Sequence, residues 1–146
     1  DSGGGILFLL MQNDKIIKRD LYYTYDHEWI DFQGSVAYIG MCHFKLTGFK
    51  SIHHMEWIES AALVKQDSPL AKFTYNDYTV TLHMPADGKL MQLNEALINS
   101  SPEFLAQSLK TEPWLALIAP ARPYERKNLM LLDQYNMKLK SKKYFY

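Results

Sequence analysis

Residues 72–84 read KFTYNDYTVTLHM, two alternating runs that meet at Asn76-Asp77. Alternation of period two sends successive side chains to opposite faces of a strand, and a two-residue Asn-Asp junction suits a very tight turn. The stretch therefore reads as a β-hairpin. Tyr75, Tyr78 and Thr79 ring its tip, and one carboxylate, Asp77, stands at the apex. A chain with this unit at its centre is committed to antiparallel sheet, because a two-residue link can join only antiparallel neighbours.

The same punctuation recurs along the chain. Trp29-Ile30-Asp31-Phe32 and Val36-Ala37-Tyr38-Ile39 flank Gln33-Gly34-Ser35, a second hairpin with a glycine turn. Ile52 to Ile58 reads as a strand, Lys65 to Pro69 as a turn, Pro85-Ala86-Asp87-Gly88 as another turn, and Lys89 to Leu93 and Trp114 to Ile118 as short strands. His43 to Phe49 is irregular or a short helix. Pro102 to Leu109 is expected to be helical, with Ser100 or Ser101 as N-cap ahead of a first-turn proline. Leu129, Leu132, Tyr135 and Leu139 recur near helical spacing, which predicts a C-terminal helix over much of Pro123 to Leu139. Many short strands and marginal helices, without long strand–helix–strand alternation, describe a small sandwich or barrel and not a doubly wound sheet. Trp29, Ile39, Ile52, Leu82, Leu93 and Leu115 are the expected inward-facing core.

At 146 residues the chain is one domain long, and its 47% apolar content suffices for a real core. Lys plus Arg balances Asp plus Glu, so the concentrated positive face that nucleic acid requires is not expected. No apolar run approaches the roughly 20 residues that cross a bilayer. The longest, Ile6 to Met11, follows Asp1-Ser2-Gly3-Gly4-Gly5, without the positive flank or small-residue cleavage pattern of a signal peptide. It is expected to add a strand or a packing segment, with a disordered or crystal-contact tail and a remnant of an anchor as the alternatives. A single cysteine, Cys42, excludes an intrachain disulfide and fits a reducing, cytoplasmic setting.

Sequence-level signals of catalysis are weak. The chain has no GxGxxG, Walker-type loop, HExxH or CxxC. Cys42 and His43 are adjacent and would point to opposite faces of a strand. His53 and His54 cannot chelate one ion together for the same reason. A site built from one of them with His83 and Asp77 is chemically conceivable, but ordinary sheet histidines are the plainer reading and no metal ligand is assigned. Asp26, Glu28, Glu56 and Glu59 could supply paired carboxylates, yet their spacing matches solvated sheet-edge charges equally well.

Tyr23-Thr24-Tyr25-Asp26-His27-Glu28-Trp29-Ile30 resembles the opening signature of the glycine cleavage system H protein family, Y-[ST]-x-[DE]-H-E-W-[VI]. Gly34-Ser35-Val36-Ala37-Tyr38-Ile39-Gly40 resembles its second strand, G-x-V-A-x-[VI]-G. Pro85-Ala86-Asp87-Gly88 and Leu93-Asn94-Glu95-Ala96-Leu97 match P-x-[SD]-G and V-N-E-A-L, and Ser101-Pro102-Glu103 and Trp114-Leu115 match later stations. The pattern runs without a gap from Tyr23 to Asn99, gains about one residue near Ser100, and covers roughly residues 21–137.

The resemblance implies a mostly β, α+β fold: a lipoyl/biotinyl-carrier-like barrel-sandwich hybrid with marginal helices and a C-terminal helix. It divides the chain into an N-terminal extension (1–20, with 1–5 an appended lead-in), the H-protein-like domain (21–137) and a tail (138–146). It implies a carrier and not an enzyme, with lipoate on a hairpin-tip lysine. The family's tip reads E-S-V-K-A-x-S-[DE]. Counting back without a gap from Pro85 lays this on Thr74 to Thr81 and puts the lysine position on Asp77. No lysine lies between Lys72 and Lys89. A carboxylate cannot form the lipoyl amide, so no cofactor is expected. The expected role is a non-enzymatic adaptor or regulatory module docking through Thr74, Tyr75, Asn76, Asp77 and Tyr78. Its partners would be proteins, with glycine decarboxylase and the aminomethyltransferase as candidates, and neither nucleic acid nor membrane. The competing reading is a working aminomethyl carrier modified at Lys72 or Lys65.

Overall fold

A computed structural model describes residues 19–59 and 62–144, with side-chain surroundings described as far as Ser141. The expectation for Ile6 to Met11 falls outside these residues. Among the described residues, eight strands form two antiparallel sheets. The larger has the order β1 (Leu21–Tyr23), β2 (Glu28–Gln33), β3 (Val36–Met41), β8 (Ala116–Pro120), β7 (Gly88–Leu93). The smaller is β4 (His54–Trp57), β5 (Pro69–Tyr75), β6 (Tyr78–His83). Short helices α1 (Glu95–Ile98) and α2 (Pro102–Leu109) link β7 to β8, and α3 (Leu132–Tyr144) closes the chain.

The main core joins both sheets. Ile30, Phe32, Ala37 and Ile39 of the larger sheet cluster with Leu70, Phe73 and Leu82 of the smaller, and with Leu97, Leu105, Ala106 and Leu109 of the helices. Each buried Ile, Leu or Phe side chain contributes about 1.5–3 kcal/mol of transfer free energy, and this is what holds two otherwise open sheets face to face. Of the six core residues expected from sequence, Trp29, Ile39, Ile52, Leu82 and Leu115 are buried. Leu93 is only half-buried: it ends β7, an edge strand. A second cluster gathers Trp29, Cys42, Met130 and Tyr135 beneath α3. Gly40 is required here, because a Cβ at that position would stand 2.6 Å from the Trp29 ring and 2.7 Å from the Pro113 carbonyl.

Both predicted hairpins form. Gln33 pairs with Val36 around Gly34, whose φ is 69°, and Tyr75 pairs with Tyr78 around Asn76-Asp77. Ser101 is the cap of α2: its Oγ accepts from the Phe104 N–H, with Pro102 in the first turn. The predicted C-terminal helix needs correction. It begins at Leu132, not near Pro123, and continues to Tyr144. The segment before it is held irregular by competing contacts. The Arg126 guanidinium lies 3.6 Å from the centre of the Phe32 ring and bonds to Asp20 at 2.7 Å. Asn128 adopts φ 62°, and Met130 pairs with Tyr23. Among the described residues no helix is long and apolar enough to cross a membrane.

Candidate functional site

The β5–β6 hairpin has two ends, and each gathers a different set of polar groups. At the tip, Asn76 and Asp77 are both exposed, and Asn76 takes the left-handed φ of 52° that lets two residues reverse the chain. Behind them, Thr74 and Thr79 pair across the strands with Oγ1 atoms 3.3 Å apart. Tyr78 is 68% exposed. Tyr75 is not displayed as the sequence suggested: it is half-buried, with His53 stacked on it at 5.2 Å and Phe49 at 6.0 Å. The outer face of the small sheet is polar, since His54 faces Thr74 and Glu56 faces Lys72. Lys72 is exposed in mid-strand, and Lys65 lies near the hairpin's base, where Pro69 pairs with His83.

The base of the hairpin meets the DHEW turn. Thr24 organises that turn: its Oγ1 accepts from the Asp26 and Glu28 amides and donates to Glu28 Oε1 at 3.0 Å. His27 takes φ 62°, and its Nδ1 lies 2.8 Å from the Tyr135 hydroxyl of α3. Glu28, 1% exposed, turns inward. Its Oε2 accepts from Lys45 Nζ at 2.9 Å, from the His83 amide at 2.6 Å and lies 2.9 Å from His83 Nδ1. Asp26 Oδ2 is 2.7 Å from Lys45 Nζ and 2.9 Å from His83 Nδ1. Asp26, Glu28 and His83 thus present three donor atoms within 4.8 Å of one another. Burial pushes the Asp26 carboxyl up, but the hydrogen bond and charge of Lys45, with the charges of His83 and His27, outweigh it and hold the group below its ordinary value.

Two expectations change here. His83 and Asp77 lie at opposite ends of β6, so the histidine–Asp77 grouping does not assemble. Glu28 is not a solvated edge charge but a buried carboxyl that accepts from Thr24 Oγ1, Lys45 Nζ and the His83 amide, with His83 Nδ1 beside it. Neither Lys45 nor His83 could be paired with it from sequence, because 17 and 55 residues separate them from Glu28 and only the sheet packing brings them together. A lone glutamate between histidine and tryptophan at a strand start was the only signal. Beside this cluster, burial drives the Cys42 thiol up to about 12, with the neighbouring Tyr135 hydroxyl as hydrogen-bond partner.

The glycine cleavage H-protein family matches residues 21–142. The glycine cleavage system H protein of Bacillus subtilis is 32% identical over 119 residues, 82% of this chain and 93% of that protein. That of Bacillus velezensis is 31% identical over 118 residues, 81% and 92% of the two chains. A crystal structure of the Mycobacterium marinum glycine cleavage system H protein superposes with a TM-score of 0.67 at 21% identity, covering 85% of this chain and 99% of that one. That likeness extends the barrel-sandwich architecture to the two sheets described above. Sequence match and fold agree, and the chain belongs to the glycine cleavage H-protein family.

Proposed function

We propose that this chain is a member of the family that does not carry lipoate, and that it acts as a docking or regulatory module toward protein partners of the glycine cleavage system. The observation that carries this reading is the apex of the β5–β6 hairpin. Asp77 is exposed there, in the two-residue turn between paired Tyr75 and Tyr78. Family members are carriers and not catalysts, and a lipoyl carrier needs a primary amine where a ligase can reach it. The residues present at the tip do not fit lipoate: a carboxylate, an amide and a phenol offer no acylable amine. Lys72 faces solvent from the middle of β5, three positions before the last strand pair, and Lys65 lies toward the other end of the hairpin.

Tyr78 supplies what a docking tip needs, a large ring with a polar end in solvent and no burial of its own to lose. Its partner class is another protein of the pathway, with glycine decarboxylase and the aminomethyltransferase first to be tested. The exposed Lys72 favours a second reading, a carrier modified at that lysine. Intact mass after co-expression with a lipoate ligase and lipoate separates them. Unshifted mass is expected; a lipoyl adduct that maps to Lys72 or Lys65 overturns the non-carrier reading.

A further inference from the structure

We propose that Asp26, Glu28 and His83 form a divalent transition-metal site of the zinc class, for which Lys45 is the built-in competitor. The proposal concerns the base of the hairpin and stands apart from the question of lipoate at the tip. The three donors come from three places: the turn before β2, β2 itself and the end of β6. His83 Nδ1 lies 2.9 Å from Glu28 Oε2 and 2.9 Å from Asp26 Oδ2. Around a tetrahedral zinc with bonds of about 2.0–2.1 Å, ligand atoms stand about 3.3–3.4 Å apart. The two histidine–carboxylate distances therefore need to open by only a few tenths of an ångström, and all three atoms already lie within 4.8 Å of one another.

The chemistry of the donors fits. Imidazole and carboxylate are the zinc ligands of open, three-ligand sites. The carboxylate is also held from behind as a metal ligand would be: Thr24 Oγ1 donates to Glu28 Oε1 and the His83 amide to Oε2. A site with some solvent access is required, and Asp26 is 58% and His83 27% exposed at the side chain.

Charge makes the same point. Two carboxylates converge, and the cation that meets both is Lys45 Nζ, 2.7 and 2.9 Å away with its side chain 8% exposed. Lys45 brings one positive charge to two carboxylates, and His83, when its ring is neutral, brings none. A divalent ion would complete the neutralisation, with Lys45 swinging out on its four-carbon stem while keeping its proton. His83 would present Nδ1 as a lone pair, its proton residing on Nε2 or leaving to solvent. Bound metal would tie the three-stranded sheet to the five-stranded one.

The test is titration of the metal-free chain with cobalt(II) chloride, read by visible d–d absorption, and with zinc chloride, read by calorimetry and melting temperature. Wild type is expected to give saturable one-to-one binding and a melting temperature that rises with metal. His83→Gln and Asp26→Asn, checked for folding by circular dichroism, should each weaken binding about tenfold or more. Lys45→Met should tighten it by about tenfold or more, because a positive charge no longer opposes the ion. Binding that survives unchanged in His83→Gln belongs to exposed histidines such as His43, His53 or His54 and overturns the proposal. So does the absence of saturable binding in wild type. If Lys45→Met does not fold, the comparison of wild type with His83→Gln decides alone.

Discussion

Tyr75 and Tyr78 face each other across the two-residue turn, yet only Tyr78 presents its ring to solvent. Tyr75 is clamped between His53 and Phe49, so it fixes the height and tilt of the tip while Tyr78 is what a partner would meet. Tyr78→Ala should leave stability within about 0.5 kcal/mol of wild type, as exposed substitutions do. Tyr75→Ala should cost about 1–3 kcal/mol, below the cost of a fully buried ring. Urea denaturation of the two variants checks this. Equal losses would mean that the rings share one environment.

The core has a gradient that follows strand position. Leu82 and Ile39 are fully enclosed between the sheets, while Leu93 ends an edge strand and is half-buried. Leu82→Ala should cost about 2–5 kcal/mol and Leu93→Ala clearly less. A Leu93→Ala loss as large as that of Leu82→Ala would place Leu93 in the core after all.

What could be read from the sequence was whatever is local. Asn76-Asp77 and Gly34 announce their turns by backbone preference, and Ser101-Pro102 announces its helix by capping. The start of the C-terminal helix is not legible, because the spacing of Leu129 and Leu132 resembles a helix, while Arg126 draws its segment onto Phe32 and Asp20. The Glu28 cluster was invisible for a deeper reason. Its members share no spacing rule, and only the packing of one sheet on the other makes Lys45 and His83 neighbours of the DHEW turn. The half-buried state of Tyr75 is equally illegible, since nothing near it in sequence reveals that Phe49 reaches it.

Glu28 should be the most sensitive polar residue of the fold. Glu28→Ala would leave the His83 amide without its buried acceptor and Lys45 with Asp26 alone, at a cost of about 2–4 kcal/mol. Asp26, more than half exposed at the side chain, should matter less, and solvent screening keeps its contribution below about 1 kcal/mol. Its pH signature is defined. A carboxyl held below its unfolded value of 3.8 gives stability that is present above that pH and lost as the pH falls through the lower folded value. The advantage of wild type over Asp26→Asn should therefore be full near neutrality and shrink below about pH 4. An advantage that grew in acid would reverse the assignment.

Cys42 should be inert in the folded protein. It is 2% exposed, and burial lifts its thiol to about 12, so thiolate is scarce at neutral pH. Labelling by a chromogenic disulfide reagent at pH 8 should wait for unfolding and accelerate in urea with the global transition. Prompt labelling without denaturant would show that the cluster beneath α3 opens on its own.

The sharpest test of the hairpin is to give its tip an amine. The native chain is expected to show no lipoyl adduct after co-expression with a lipoate ligase and lipoate. Asp77→Lys should fold, since both the old and new side chains lie in solvent, and should be modified weakly, because Thr74 lacks the acidic neighbour of the family's E-S-V-K-A and Tyr78 crowds the turn. Grafting all five residues over Thr74 to Tyr78 carries a conformational conflict. It places valine at position 76, where φ is 52°, a region that β-branched residues rarely enter. It also removes the Tyr75 ring from His53 and Phe49. A three-residue graft, Thr74→Glu, Asp77→Lys and Tyr78→Ala, avoids both and should be lipoylated better than either alternative, as read by intact mass. If the five-residue graft is modified as well as this one without loss of stability, the turn is more plastic than its left-handed Asn76 implies. If a folded three-residue graft stays unmodified, the tip differs from a carrier's in shape as well as in chemistry.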